Sequence, residues 1–313
     1  MNLVNLFRPP KPKLSGKLAK RRKAVIALGG GGARGLAHLG AIQAIGEAGV
    51  QTERIVGVSM GSLVGAMCAA EPDIARVQSS AIQLLHSPVF QLKQKILFGA
   101  ASPEEETSAG IFSWYGRVRK YLKAHRKLTR AVTSPSLMSD EPLQESIEYL
   151  LPDVDLQDLP IPLSIVTVDL LSGQRVVLEK GPLRKAVQAS AAIPGIFPAV
   201  PWDDMLLSDI GVIESIPTVV AQAYAADLTI AVDVGQNLTR IDKCNTAIEV
   251  LMRVDDICER LVRRQLLDVA DVLIQPNVGS CPWFDFTHPE QMISEGHKAG
   301  HEALASLQVA DAA

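Results

Sequence analysis

Cysteine, aromatic side chains and long apolar runs are all scarce in this 313-residue chain. There are four cysteines, Cys68, Cys244, Cys258 and Cys281, and no two stand in a C-x-x-C spacing. A disulfide framework and a cysteine-built zinc site are therefore not expected, and a reducing compartment is the default. Aromatics make up 4%, so the core has to be built from Ala, Val, Ile and Leu. No run of roughly 18 apolar residues occurs, which leaves no spanning helix and limits any membrane contact to the periphery. The apolar stretch Leu3–Phe7 is too short for a signal-peptide core. Acidic residues are missing from positions 1–23, which hold eight Lys or Arg, so the rest of the chain is acidic. An acidic body argues against nucleic acid as a partner. The basic segment reads as a solvated disordered tail, with contact to an anionic membrane as its functional alternative.

What is present is an alternation of short apolar runs and helical patterns. Ala24–Leu28 is a buried-strand pattern ending in glycines, Leu36–Ala48 is helical up to Gly49, Arg54–Val58 is a second strand, and Met60–Ala70 is a buried helix. Strands are further expected at 163–168, 175–179, 228–234 and 271–275, with a short one ending at Asp209. Helices are expected near 182–192, 214–226, 244–268 and 289–307. This order predicts an α/β fold, a three-layer α/β/α arrangement with a mostly parallel central sheet. The simplest organisation is a tail at 1–23 and one hydrolase domain over 24–313, with a helical insertion around 87–160. Within the insertion, residues 111–130 read as a basic amphipathic helix, either a packed surface helix or a lid or membrane-surface element.

Two glycine-rich turns carry the chemistry. Gly30-Gly31-Gly32-Ala33-Arg34-Gly35 follows a strand and opens a helix, so its backbone N–H groups can face an anion. That anion is either a phosphate or the oxyanion of a tetrahedral intermediate. A dinucleotide site expects an acid at the end of the second strand, but Glu53 precedes that strand, and no Gly-Lys-Ser/Thr follows the glycines. Gly57-Val58-Ser59-Met60-Gly61 is a G-x-S-x-G turn between strand and helix, the setting of an exposed serine nucleophile. Such a serine needs a base. His86, His125, His288, His297 and His301 lack the setting of a triad histidine, and His38 reads as a packing or capping group. The remaining option is a carboxylate acting directly on Ser59. Asp209, at the end of a short strand and followed by Gly211, is either that base or a turn cap.

Four segments in this order, GGGGARGLAHLG at 29–40, GVSMGS at 57–62, ASAAIPGIFP at 189–198 and SDIGVIESIP at 208–217, resemble the patatin-like phospholipases. Ile293-Ser294-Glu295-Gly296 is similar to the bacterial, neuropathy-target-esterase-like branch. The resemblance covers roughly residues 24–305. It implies a Ser59–Asp209 dyad, an oxyanion hole from the backbone of Gly30, Gly31, Gly32, Ala33 and Arg34, and structural glycines at Gly35, Gly57, Gly61 and Gly211. It also implies a lipid acyl ester as substrate, no metal and no organic cofactor. The expected location is the cytoplasm or the inner face of the membrane, reached through residues 1–23 and 111–130. One residue departs from the family pattern: Ile210 stands where glycine usually follows the Asp. A β-branched residue resists positive φ, so either this turn needs no such conformation or Asp209 is held differently. A vestigial site in a regulatory protein is the alternative that Ile210 raises.

Overall fold

A computed structural model describes residues 22–98, 134, 136–211, 213–238, 240–241, 243–245, 247–279 and 281–312. The basic tail up to residue 21 and the amphipathic pattern at 111–130 lie outside the described residues. The chain forms β1 (Lys23–Leu28), α1 (Ala37–Glu47), β2 (Gln51–Gly57), α2 (Met60–Ala70), α3 (Ile74–His86) and α4 (Pro88–Phe98). These are followed by α5 (Glu141–Leu150), β3 (Leu163–Asp169), β4 (Arg175–Leu178), α6 (Leu183–Ala191), β5 (Val200–Trp202) and β6 (Met205–Ser208). The last elements are α7 (Thr218–Gln222), β7 (Leu228–Val232), α8 (Ala247–Leu267), β8 (Val272–Ile274) and α9 (Pro289–Ala312).

The sheet order is β5-β6-β3-β2-β1-β7-β8, with β4 also on β3. Strands β3, β2, β1, β7 and β8 are parallel, while β4 and β6 run antiparallel to β3. Side-chain alternation in β1 builds the two faces. Ala24, Ile26 and Leu28 join a core with residues of α1, α2, α3 and α6. Val25 and Ala27 join a second core with Val56, Val58, Val166, Val220 and Leu266. A sheet covered on both sides is the α/β/α sandwich the strand–helix order predicts.

Several elements differ from the sequence reading. Helix α3 is a clean amphipathic helix with Val77, Ala81 and Leu85 buried at i, i+4, i+8, and the Asp73 side chain caps it by accepting from the amides of Ala75 and Arg76. The helix expected near 214–226 is only Thr218–Gln222. The preceding stretch is held open because the Ser215 carbonyl accepts from the Gly30 amide and the buried Glu214 carboxylate pairs with Arg175. Those long-range bonds outweigh local helix propensity.

Register places the reactive turns. Leu28 and Gly57 are paired residues of adjacent parallel strands, so the glycine loop and the serine turn leave the sheet side by side. Gly57 is paired with Ile165 and Ser208 with Val168 on opposite sides of β3. Ser59, two residues past Gly57, and Asp209, one past Ser208, therefore arrive at the same level of the sheet. This is the crevice beyond the carboxyl ends of parallel strands.

Candidate active site

Ser59 sits at φ 54°, ψ −123°, one of two non-glycine residues at positive φ among those described. Such a conformation costs roughly 1–3 kcal/mol and persists only where neighbours enforce it. They do so at both peptide groups. The Ser59 amide donates to Ser190 Oγ at 2.9 Å, Ser190 Oγ donates to the Val166 carbonyl at 2.8 Å, and Ser62 Oγ donates to the Ser59 carbonyl at 2.7 Å. The flanking glycines are steric necessities. A Cβ on Gly57 would lie 2.5 Å from the Gly61 carbonyl oxygen, and one on Gly61 would lie 2.2 Å from the Leu28 carbonyl oxygen.

The Asp209 carboxyl is buried, accepts from the Gly211 amide at 2.7 Å, and lies close enough to the Ser59 hydroxyl to be influenced by it. Burial pushes its pKa up to about 6, against the pull of the Ser59 hydroxyl and the Gly211 amide. A carboxylate of this kind is ionised at neutral pH and basic enough to take a proton. Gly211 is needed there, since a Cβ would come within 2.8 Å of Asp209 Oδ1. The Ile210 question resolves in favour of a turn that needs no positive φ at that position. Its side chain is buried beside Val58 and Val166.

Most peptides of the glycine loop are already committed. The Gly29 amide donates to Val232 O and its carbonyl lies 2.7 Å from His38 Nε2, which therefore carries a proton. The Gly30 amide donates to Ser215 O at 2.8 Å and the Ala33 amide to Trp283 O at 2.5 Å. The Arg34 amide lies inside the 3-10 turn Gly32–Leu36. Of the five residues expected to supply oxyanion donors, Gly30 and Ala33 are thus corrected: their amides serve the main chain. The amides of Gly31 and Gly32 remain for a ligand. Gly32 has φ +57°, and a Cβ there would meet the Trp283 carbonyl at 2.1 Å.

Two side chains hold this loop: Arg34, in a role the sequence did not reveal, and His38, the packing or capping group the sequence suggested. Buried Arg34 donates from Nε to the Gly31 carbonyl at 3.1 Å. In a trans peptide C=O and N–H point in opposite directions, so pinning Gly31 O aims the Gly32 N–H the other way. Burial brings the Arg34 pKa down to about 10. His38 is fully buried, and burial pushes its pKa down to about 4, so it is a neutral prop and not a base. Behind the loop, Arg263 pairs with Asp233 at 3.3 Å and donates to Gln236 O, and Ser215 Oγ donates to Glu259. This buried network fixes the Ser215 carbonyl that Gly30 uses. Histidine-based catalysis finds no support here: no histidine lines the cavity among the described residues, and His297 and His301 pair with Glu47 instead.

Ser59, Asp209 and Gly30–Gly32 line the floor of a cavity of about 500 Å³. Its walls are apolar: Met60, Leu63, Val64 and Met67 from α2, Ala81, Leu84 and Leu85 from α3, Val89 and Phe90 from α4, and Leu143, Tyr149 and Leu150 from α5. Trp283 and Phe286 close one side, with Phe286 edge-to-face on Phe90 at 5.7 Å. The main polar group across the walls is the Lys93–Glu145 pair between α4 and α5.

Residues 26–221 match the family model of the patatin-like phospholipases, a span that includes both Ser59 and Asp209. The chain belongs to the patatin-like phospholipase family. It is 32% identical over 210 residues to an uncharacterised NTE family protein of Mycobacterium tuberculosis, covering 67% of this chain and 48% of that one. It is 30% identical over 212 residues to patatin-like phospholipase domain-containing protein 6 of Homo sapiens, covering 67% of this chain and 13% of that one. The chain thus spans about half the length of its mycobacterial relative and a small part of the human one. Among solved structures, VipD of Legionella pneumophila aligns at a TM-score of 0.45 and 17% identity, over 94% of this chain and 67% of that one. No described helix is long and apolar enough to cross a membrane.

Proposed function

We propose that the chain hydrolyses lipid acyl esters through a Ser59–Asp209 dyad, with the amides of Gly31 and Gly32 as the oxyanion hole. Asp209 accepts the Ser59 proton as Oγ attacks the ester carbonyl. The carbonyl oxygen takes the negative charge and is stabilised by the two amides and by the N-terminus of α2. The C–O bond to the alcohol breaks, and the proton on Asp209 goes to the departing oxygen. Water, deprotonated by the same carboxylate, then attacks the acyl-serine; the bond from the acyl carbon to Ser59 Oγ breaks, Asp209 returns the proton to Oγ, and the fatty acid is released. Metal and cofactor have no part in these steps.

The observation that carries this reading is a positive-φ serine that shares the floor of an apolar cavity with a buried carboxylate. A cavity of this lining suits an acyl chain and offers little to a polar substrate. Val89 (63% exposed) and Leu92 (60%) on α4 and Tyr149 (50%) on α5 surround the walls with exposed apolar surface, which supports entry of substrate from a lipid surface. The test is hydrolysis of p-nitrophenyl acyl esters followed by a panel of phospholipids and lysophospholipids. Turnover that needs both Ser59 and Asp209 is expected, and full activity in Ser59→Ala would end the proposal.

A further inference from the structure

Away from the cavity, at the last turn of α1, Glu47 meets two histidines of α9. Glu47 Oε2 lies 2.8 Å from His297 Nε2 and 2.8 Å from His301 Nε2, and the two Nε2 atoms are 3.2 Å apart. We propose that these three side chains bind a divalent transition-metal ion of the zinc type, joining the end of α1 to α9.

The donor set fits that class of ion. Two imidazoles and one carboxylate is a zinc combination, whereas calcium and magnesium take oxygen ligands. In a tetrahedral site with bonds of about 2.0–2.1 Å, ligand atoms lie roughly 3.3 Å apart, close to the 3.2 Å between the imidazole nitrogens. His297 and His301 are i, i+4 on one helix face, the spacing that lets two imidazoles share one ion. Their rings stand edge to face, with centroids 4.5 Å apart at 81°, and each Nε2 reaches the same Glu47 Oε2. Gln43, one turn before Glu47, donates to Oε1 at 2.8 Å and leaves Oε2 to the histidines. Such an outer hydrogen bond orients a ligating carboxylate. Glu47 and His301 are exposed, so water can take the fourth position.

The backbone makes the site rigid before any ion arrives. A Cβ on Gly40 would lie 1.9 Å from the Ile293 carbonyl, and one on Gly296 would lie 1.8 Å from the Ala37 carbonyl. α1 and α9 therefore touch main chain to main chain, which leaves little room for one to shift against the other. α1 starts immediately after the glycine loop, so the ion would clamp the helix that carries the loop without entering the chemistry. The inference is independent of the hydrolase reading.

The test uses the full chain, stripped with chelator, desalted, and titrated with ZnCl2 while thermal stability is followed. Co²⁺ serves as an absorbing substitute. Zinc is expected to raise the melting temperature, and Co²⁺ to give the visible bands of a tetrahedral nitrogen–oxygen site without a thiolate charge-transfer band. Both effects should be lost in the His297→Ala/His301→Ala double variant, and Glu47→Gln should weaken zinc binding by about tenfold or more. Where the double variant destabilises α9, the exposed single change His301→Gln gives the same readout. An unmoved melting temperature in the parent chain, or equal zinc effects in parent and variants, overturns the proposal.

Discussion

At the cavity floor, the glycine loop is held by directional bonds at the amides of Gly29, Gly30 and Ala33 and the carbonyls of Gly29 and Gly31; the walls formed by α2 to α5 are mostly apolar side chains that have none. His38, Ser215, Arg34 and Trp283 hold the loop by directional bonds, and Ser190 and Ser62 hold the serine turn. The walls are held by non-directional packing of Leu, Met, Val and Phe. Directional bonds specify geometry to fractions of an ångström, while apolar packing specifies volume. The floor should therefore tolerate almost no substitution, and the walls should tolerate many that change only which acyl chain fits.

That contrast can be broken most forcefully at the dyad. Ser59→Ala and Asp209→Asn should each lower turnover by about 10⁴-fold or more, the scale of losing a nucleophile or its base. Single-turnover and steady-state rates on a p-nitrophenyl ester read this directly, and a loss of only a few-fold would mean the floor is not the reaction site. Next in size is the hole. Arg34→Met keeps the apolar stem but releases the Gly31 carbonyl, and should lower kcat by roughly 10²-fold with KM little changed. An equal loss carried in KM would argue that Arg34 positions substrate instead of the Gly32 amide.

The walls should give the smaller numbers. Ala81→Leu narrows the cavity beside Leu85 and should shift preference toward shorter acyl chains by roughly 10–200-fold in relative kcat/KM, the range a few methylenes command in an apolar pocket. Unchanged chain-length preference would place the acyl chain elsewhere. A stability measurement completes the set. Asp209 has its folded pKa raised to about 6, above its ordinary value of 3.8. Its ionised form therefore burdens the folded state at pH above 6, and this burden fades as pH falls through 6 toward 4. Asp209→Asn should then be more stable than the parent at pH 7–8, by about 3 kcal/mol at most, and the gap should close near pH 4. Denaturant melts across pH check it; a destabilised Asn variant at pH 8 would mean the carboxylate is better solvated than its burial indicates.

How much of this was legible before the structure follows the same divide. The floor was written in glycines and one serine, because close backbone approach and a strained turn admit few residues. Gly32, Gly57 and Gly61 stand against carbonyl oxygens at 2.1–2.5 Å from any added Cβ. The parallel strands were legible because burial on both faces makes them runs rich in apolar and β-branched residues, as in β1, β3 and β7. Which amides serve the ligand was not legible. It depends on Ser215 and Trp283, about 180 and 250 residues away along the chain, whose carbonyls claim Gly30 and Ala33. The role of Arg34, and the carbonyl that His38 props, were hidden for the same reason: nothing in a sequence says which carbonyl a side chain will reach. The Ile210 anomaly dissolved only with the turn's dihedrals in hand. The missing half of the 214–226 helix belongs to the same class, a local pattern overruled by a distant hydrogen bond.

The central claim is that Ser59 is activated by Asp209, and active-site labelling tests it most directly. A fluorophosphonate should add once per chain, on the peptide that contains Ser59, at a rate that rises with pH through a midpoint near 6 and falls by orders of magnitude in Asp209→Asn. A label on any other serine, or an equal rate in Asp209→Asn, would contradict the account.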